Sequence, residues 1–171
     1  MQGIEVGIDE ILNCREKRVA IQNEMIKKYN KPVISFTMNI PGPIKKNNEI
    51  KKAFDIGKNL ILENLKKNNI EILEIQELNE NTGNELFLSV NSLAEKIKDI
   101  TVTIEESSEL GRLFDIDVID INFKKLSRKS FRKCLICEEQ AQECGRSRNH
   151  SVEELQNKVE EILKKSLAFF S

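Results

Sequence analysis

The sequence predicts an α+β fold: a single mixed domain over residues 1–171, with a central, largely antiparallel sheet flanked by helices. The length suits one domain, because about 150 residues bury roughly two-thirds of the surface of the unfolded chain. Segments with apolar residues at helical spacing are interspersed with short alternating or β-branched runs. This mixed order of elements is typical of the α+β class.

Composition limits the kinds of partner. The 27 basic and 28 acidic residues nearly cancel, so no overall field attracts nucleic acid or a membrane surface, and any polyanion site must be local. The first residues, MQGIEVGIDEIL, carry acids where a signal peptide has bases, and no apolar run approaches the ~20 residues of a membrane span. We therefore expect a soluble, cytoplasmic protein that binds neither nucleic acid nor a membrane.

A first helix is predicted between Gly7 and Asn30, ended by Pro32. The apolar positions at helical spacing that predict its buried face are Ile8, Ile11, Leu12, Val19 and Ile26. Residues 33–39 then read as a strand. The following Pro41-Gly42-Pro43 excludes regular structure and predicts a tight, rigid loop.

A second helix is predicted to end at Lys67, from the apolar spacing of Ile50, Phe54, Gly57, Ile61 and Leu65. Residues 70–75 look extended and lead to a turn at 81–83. Leu86, Leu88 and Val90 alternate as a strand does.

The third helix is predicted to be short, over residues 92–98. The β-branched run 100–104 reads as a strand that could pair with the strand 114–121 as a hairpin. A last helix begins at Ser151, where Glu154 completes a capping box.

Two aspartates stand one residue apart in the otherwise apolar strand 114–121. Residues i and i+2 of a strand share a face, so Asp115 and Asp117 should project together while Phe114, Ile116 and Val118 face the core. Two carboxylates so close repel each other unless a cation lies between them, and such oxygen ligands suit Mg²⁺. Nucleotidyl transfer enzymes hold Mg²⁺ against a triphosphate in this way. The same alternation also describes an edge strand whose polar face is simply in water.

Cations cluster around this strand. They are Arg112 before it, then Lys124, Lys125, Arg128, Lys129, Arg132 and Lys133, and further on Arg146 and Arg148. Carboxylates beside such a cluster suit a metal–triphosphate complex, whereas nucleic-acid binding would more often bring aromatic residues to stack on bases. A solvated charged loop is the alternative.

Three cysteines and the only histidine are spaced C-x2-C-x6-C-x5-H, at Cys134, Cys137, Cys144 and His150. This spacing resembles that of a structural zinc site, in which three thiolates and an imidazole complete a tetrahedral shell. Disulfides are the weaker explanation in a reducing cytoplasm. The alternative is reduced, partly buried cysteines beside a hydrogen-bonded histidine.

Several blocks of sequence resemble one known family. They are CREKRVAIQ (14–22), SFTMNIPGPIKKN (35–47), GRLFDIDVID (111–120), LSRK (126–129) and RKCLICEEQAQECGRSRNHSVEEL (132–155). They look like the blocks of the CitX family, the holo-acyl-carrier-protein synthases of citrate lyase, also called apo-citrate lyase phosphoribosyl-dephospho-CoA transferases. The resemblance runs from the first helix to the last, in order.

The resemblance implies a reaction: transfer of a phosphoribosyl-dephospho-CoA group from triphosphoribosyl-dephospho-CoA to a serine of the citrate lyase acyl-carrier subunit, with release of pyrophosphate. It matches Asp115 and Asp117 to a catalytic Asp-x-Asp pair, which is compatible with a nucleotidyltransferase-like fold. Such enzymes also use a third carboxylate, and no motif in this sequence identifies one.

We expect this pair to bind Mg²⁺ and one of its members to help deprotonate the serine. Arg112, Arg128 and Arg132 are expected to hold the triphosphate. Backbone amides in the loop from Asn39 to Pro43, where Gly42 permits close approach, are candidates for contacts to the ribose or phosphates, and a purely structural turn is the alternative. A zinc-stabilised module that binds an anionic partner without catalysis is the second class of function.

Overall fold

Four antiparallel strands form one sheet in the computed structural model, which describes residues 1–170. In the order β2-β3-β1-β4 across the sheet, the strands are β1 Val33–Met38, β2 Ile72–Glu80, β3 Gly83–Val90 and β4 Phe114–Ile119. The helices are α1 Ile8–Tyr29, α2 Asn48–Lys67, α3 Ala94–Glu106, α4 Ala141–Ser147 and α5 Val152–Leu167. This arrangement confirms the predicted α+β class with an antiparallel sheet flanked by helices.

The main core lies between one face of the sheet and helices α2, α3 and α5. Phe36 of β1 stacks on Phe54 of α2 with ring centroids 4.9 Å apart, and meets the ring of Phe114 edge-on at 5.4 Å. Gly57 makes room for this cluster, since a Cβ there would lie 2.5 Å from Cζ of Phe36. The aromatic cluster thus anchors β4 to the centre of the molecule.

Helix α1 covers the opposite face, but only in part. Its Ile21, Met25 and Ile26 pack on Val33, Phe87 and Ile119. The predicted buried face of α1 was wrong at three positions, because Ile8, Leu12 and Val19 are exposed. The face that contacts the sheet carries Cys14 and Gln22, which hydrogen-bond to Glu85 and Ser35 respectively, so apolar periodicity alone misplaced it.

The segment 100–104, predicted as a strand paired with 114–121, lies inside α3 instead. Ala94, Ile97, Thr101 and Ile104 are buried at spacings of three and four residues, which suits a helix lying on β4. Strand β4 pairs with β1, from Val33 opposite Ile119 to Met38 opposite Phe114. Burial of one helical face therefore outweighed the β-propensity of the branched residues.

The other predicted elements are present, although β2 continues to Glu80, beyond the predicted residue 75, and α4 was not predicted. The capping box of α5 is formed, since Ser151 Oγ accepts from the Glu154 amide (3.1 Å) and Glu154 Oε2 accepts from the Ser151 amide (2.7 Å). Strand β4 ends at Ile119, earlier than predicted, because Asp120 begins a turn in which its Oδ1 accepts from the amides of Asn122 and Lys124. Within residues 1–170, no helix has both the length and the apolarity needed to cross a membrane.

Candidate active site

The two aspartates of β4 lie side by side on the sheet face that α1 leaves partly open. Asp115 is opposite Thr37 of β1 and Asp117 is opposite Ser35, so both carboxylates project away from the main core. Both are half-buried. Burial, and then the neighbouring Asp117 charge, raise the pKa of Asp115 above its usual value. The pair is therefore a site at which a cation would be favoured.

A groove of about 610 Å³ opens over the aspartates, between them and the segment 125–132. Lys125 Nζ donates to Asp117 Oδ2 at 3.1 Å, so a cation already stands beside the pair. Lys98 lines the groove from α3 and is buried; burial lowers its pKa. Its Nζ lies 3.4 Å from the Ile116 carbonyl. Sequence reasoning missed Lys98 because its segment was divided between a short helix and a strand.

Side chains occupy the outer edge of β4. The Ile116 amide donates to Glu105 Oε1 at 2.8 Å, and Arg132 Nη2 donates to the Phe114 carbonyl at 2.8 Å and pairs with Glu105 at 3.0 Å. Further along, the Leu126 amide donates to the Val118 carbonyl at 2.9 Å. These bonds fix the aspartate strand on the side where the sheet ends.

The three predicted phosphate-binding arginines occupy different places. Arg128 and Arg132 line the groove with the aspartates, and both contact protein carboxylates: Arg128 pairs with Glu106 at 2.8 Å and with Glu105 at 3.7 Å. Arg112 lies outside the groove, in a neighbouring cavity of about 600 Å³, where its Nη2 donates to the Cys134 carbonyl at 2.5 Å. The structure thus brings two of the three to the aspartates.

The predicted residues of the loop after β1 also occupy different places. Asn39 lines both the groove and the Arg112 cavity, and its amide donates to the Leu113 carbonyl at 2.7 Å. Gly42 has φ +81 and lies against α5, where a Cβ would be 2.3 Å from Gln156 Nε2. Glycine is needed at this position for both the backbone conformation and the close approach.

A smaller cavity of about 150 Å³ lies on the other side of Asp115, under α1. Its charged and amide side chains are Arg15, Arg18, Lys45, Asn84, Glu85 and Asp115, with Asn39 at its edge. We call it the α1 cavity. The sequence offered one signal for it: the alternation of Leu86 and Leu88 places Glu85 on the same sheet face as the aspartates.

Glu85 lies on the same face of the sheet as Asp115, but on a different strand. The two residues lie on strands separated by β1, both opposite Thr37, which places their backbones about 10 Å apart at the usual strand spacing. Arg18 Nε and Nη2 donate to the Glu85 carboxylate at 2.7 and 3.0 Å, and the Cys14 thiol donates at 2.7 Å. Glu85 is therefore a fixed ion-pair partner inside the sheet.

The three cysteines and the histidine come together as the sequence predicted. Each offers a ligand atom, and these four atoms lie within 4.8 Å of one another. Cys137 Sγ is 3.9 Å from Cys144 Sγ and 3.2 Å from His150 Nε2. A tetrahedral zinc site with Zn–S bonds of about 2.3 Å places its sulfurs about 3.8 Å apart. The cluster could therefore hold a metal ion of zinc's size and geometry.

The electrostatics of the cluster also suit a cation. Burial, followed by the neighbouring thiols of Cys134 and Cys137, raises the pKa of Cys144 to about 11. For Cys134 burial opposes ionisation, but hydrogen bonds from the amides of Cys137 and Ile136 outweigh it and lower the pKa. Thiols this close cannot all ionise without a positive charge between them.

Comparison with known proteins places this arrangement in a family. The family model described as apo-citrate lyase phosphoribosyl-dephospho-CoA transferase matches residues 6–166. The chain belongs to this family. A relative from Vibrio cholerae serotype O1 (strain M66-2), named "Probable apo-citrate lyase phosphoribosyl-dephospho-CoA transferase", is 38% identical over 164 residues, covering 93% of this chain and 92% of the relative.

Two further relatives of the apo-citrate lyase phosphoribosyl-dephospho-CoA transferase family carry the same name without the qualifier. Those from Citrobacter koseri and Escherichia coli (strain SE11) are each 35% identical over 162 residues, covering 92% of this chain and 88% of the relative. The family match includes the aspartate pair, the groove, the α1 cavity and the cysteine cluster.

Proposed function

We propose that this protein transfers the 2'-(5''-phosphoribosyl)-3'-dephospho-CoA group from 2'-(5''-triphosphoribosyl)-3'-dephospho-CoA to a serine of the acyl-carrier subunit of citrate lyase. Pyrophosphate is the second product. The family match over residues 6–166 carries the proposal. The side-by-side carboxylates of Asp115 and Asp117, open to a groove, support it chemically.

The reaction is a displacement at the α-phosphorus of the triphosphate. The serine Oγ forms a bond to this phosphorus, and the bond to the bridging oxygen of the β-phosphate breaks, with its electron pair leaving on pyrophosphate. The serine loses its proton, and one carboxylate of the Asp115 and Asp117 pair is placed to accept it. Nucleophile and leaving group lie roughly in line on opposite sides of the phosphorus.

Mg²⁺ fits the aspartate pair. Two half-buried carboxylates on one strand provide hard oxygen ligands, and Lys125 already neutralises one of them at 3.1 Å. When bound there, Mg²⁺ would offset the charge on the attacked phosphate and on the departing pyrophosphate. Lys125, released from Asp117, would then be free to donate to a phosphate oxygen in the groove.

Other residues would hold the donor. Arg128 and Arg132 line the groove and are placed to contact the phosphate that stays with the product. Arg112 and Asn39 line the neighbouring cavity, and we propose that they meet the donor there. Gly42 would help to hold the donor through the backbone of the loop that also carries Asn39.

Cys134, Cys137, Cys144 and His150 are proposed to hold a structural Zn²⁺. The ligand atoms lie within 4.8 Å of one another, and His150 immediately precedes the N-cap of α5. The ion would join the cation-rich segment to α5 and take no part in the chemistry. Four cysteines without disulfides suit a reducing compartment, so we place the protein in the cytoplasm.

The test is the intact mass of apo citrate lyase acyl carrier after incubation with this protein, Mg²⁺ and triphosphoribosyl-dephospho-CoA. We expect a mass increase equal to the prosthetic group, lost with EDTA and reduced by at least about 100-fold in rate by Asp115→Asn, since removal of a metal ligand or base typically costs that much.

Asp55→Asn is the matched control, because this half-buried aspartate lies on α2 and does not line the groove. It should react as the wild type does. A carrier that gains no mass with a competent donor would sink the transferase. If Asp115→Asn modified the carrier at the wild-type rate, the aspartate pair would lose its role and a non-catalytic anion-binding module would become the better description.

A further inference from the structure

The α1 cavity holds more positive charge than its carboxylates neutralise. Arg18 is paired with Glu85, but the exposed side chain of Arg15 makes no hydrogen bond or ion pair with any other residue in the described range 1–170. Lys45 Nζ donates only to a neutral acceptor, the Ile40 carbonyl, at 2.5 Å. Two cations of this cavity therefore have no charged partner in the free protein.

A buried amide in the same cavity also has no partner. Asn84 is 4% exposed, and neither its Oδ1 nor its Nδ2 finds a hydrogen bond among residues 1–170. An amide buried without partners destabilises a protein. Asn84 lines the same cavity as Arg15 and Lys45, and a bound group with oxygen acceptors that reached its Nδ2 would satisfy it.

The surroundings of Lys45 in this cavity disfavour its positive charge. Burial, and then the charge of Arg15, lower the pKa of Lys45. An anion between the two side chains would remove the repulsion and favour the charged lysine. The α1 cavity of the free protein is therefore a favourable place for an anion to bind.

The position of the α1 cavity relative to Asp115 indicates which anionic group of the donor it would bind. Asp115 lines both the α1 cavity and the groove, so these spaces lie on its two sides. A displacement at phosphorus needs the nucleophile on one side and the leaving group on the other. The groove, at about 610 Å³, is the larger space and the α1 cavity, at about 150 Å³, the smaller.

We propose that the α1 cavity is the subsite for the leaving pyrophosphate, bound by Arg15, Lys45 and Asn84. This inference rests on the proposed function for the identity of the donor. The β- and γ-phosphates are the end of the donor and can enter a small cavity. The diphosphate inside the dephospho-CoA moiety has organic groups on both sides and needs an open groove. The serine and the transferred group would then occupy the groove side of Asp115.

Calorimetry with Mg²⁺-pyrophosphate as the probe tests the subsite without any transfer reaction. Arg15→Gln and Lys45→Gln should each weaken pyrophosphate binding by about tenfold or more, the usual value of a charge-assisted hydrogen bond. Lys27→Gln on the same helix and Lys46→Gln in the same loop are matched controls. Both lie outside the α1 cavity and should bind as the wild type does.

Asn84→Ala separates binding from folding. Removal of an unsatisfied buried amide should leave Tm unchanged or raise it, while pyrophosphate affinity falls. If Asn84→Ala lowers Tm and leaves the affinity intact, Asn84 only supports the fold.

Dephospho-CoA titrations supply the other arm. Unchanged dephospho-CoA affinity in Arg15→Gln and Lys45→Gln supports the assignment. Loss of dephospho-CoA affinity with intact pyrophosphate binding would overturn it in favour of the internal diphosphate, and a wild type that does not bind pyrophosphate would overturn it outright. Failure of the transferase assay alongside cavity-dependent pyrophosphate binding would count against the proposed function and leave the subsite standing.

Discussion

Glu105 joins three parts of the molecule through one buried carboxylate. It accepts from the Ile116 amide and pairs with Arg132 at 3.0 Å and Arg128 at 3.7 Å. Glu105→Ala should reduce the free energy of unfolding by about 3–5 kcal/mol, because it leaves the poorly exposed Arg132 guanidinium without an acidic partner and the buried Ile116 amide without an acceptor. Urea denaturation followed by circular dichroism measures the change.

Glu106→Ala is the matched comparison for Glu105→Ala. Glu106 is the next residue of α3 and contacts the same Arg128 at 2.8 Å, but its side chain is exposed. An exposed ion pair contributes about 0–1 kcal/mol. Equal destabilisation by the two substitutions would show that Glu105 is not the centre of the network.

Phe131 places an exposed ring at the groove. Its side chain is 78% exposed, and it lines the space above the aspartates. A base stacked on an aromatic ring is stabilised by about 1–3 kcal/mol, so Phe131→Ala should raise KM for the dephospho-CoA donor about tenfold, with Tm unchanged. Steady-state kinetics at saturating carrier measures this change.

The ring at position 169 provides the control for Phe131→Ala. Phe169 is 82% exposed and does not line the groove. Phe169→Ala should leave KM at the wild-type value. A donor KM that does not respond to Phe131→Ala would exclude stacking at the groove.

At this scale the sequence predicted charged motifs and missed isolated residues. Asp115 and Asp117 could be placed because strand alternation fixes relative direction over two residues. Arg15 and Lys45 could not be placed in one cavity from the sequence, because their proximity depends on how α1 crosses the sheet. The burial of Asn84 without a partner likewise depends on tertiary packing.

Helix α2 approaches the sheet closely at Gly57. A Cβ there would lie 2.5 Å from Phe36 Cζ and 3.1 Å from Phe114 Cε1. Gly57→Ala should destabilise the protein by about 1–3 kcal/mol through overpacking, against about 1 kcal/mol of improved helix propensity. Thermal unfolding would show a lower Tm.

Gly145 of α4 is the matched glycine. A Cβ added to it meets nothing within 4 Å. Gly145→Ala should therefore leave Tm unchanged or raise it by its helix propensity alone. A Tm increase for Gly57→Ala would mean that the two phenylalanine rings can shift, and would contradict the rigid aromatic cluster.

Elements were predicted well where a strong local signal agreed with packing. The capping box of α5 is formed by neighbours in the sequence, and the apolar alternation of β4 coincides with the burial of one of its faces in the sheet. The run 100–104 is rich in β-branched residues, yet it forms part of a helix that buries one face on β4. Packing against this neighbouring strand, which the local sequence does not reveal, favours the helix over a strand. The buried face of α1 was missed for a related reason, since polar side chains make part of its contact.

The cysteine cluster joins three successive segments near the end of the chain. It joins the segment that follows β4 to α4 and to the start of α5. We expect purified protein to contain about one Zn²⁺ per chain, and Cys137→Ser or a chelator to remove it and increase amide exchange in residues 130–150, while β1 and β3 stay protected. Elemental analysis and hydrogen exchange measure these outcomes.

Cys14→Ser serves as the control for the zinc experiment. Cys14 lies under α1, where its thiol donates to Glu85, and a serine hydroxyl can do the same. Zinc content should not change. A protein that contains no zinc, or one whose zinc is lost in Cys14→Ser, would contradict the proposed site.

The occupied outer edge of β4 has a consequence for how a carrier protein can approach. A strand at the end of a sheet usually offers free amides and carbonyls, and many protein partners dock by adding a strand there. Here Glu105, Arg132 and the Leu126 amide already take those groups. An acyl carrier therefore cannot extend the sheet beside the aspartates, and must present its serine from above, through the mouth of the groove.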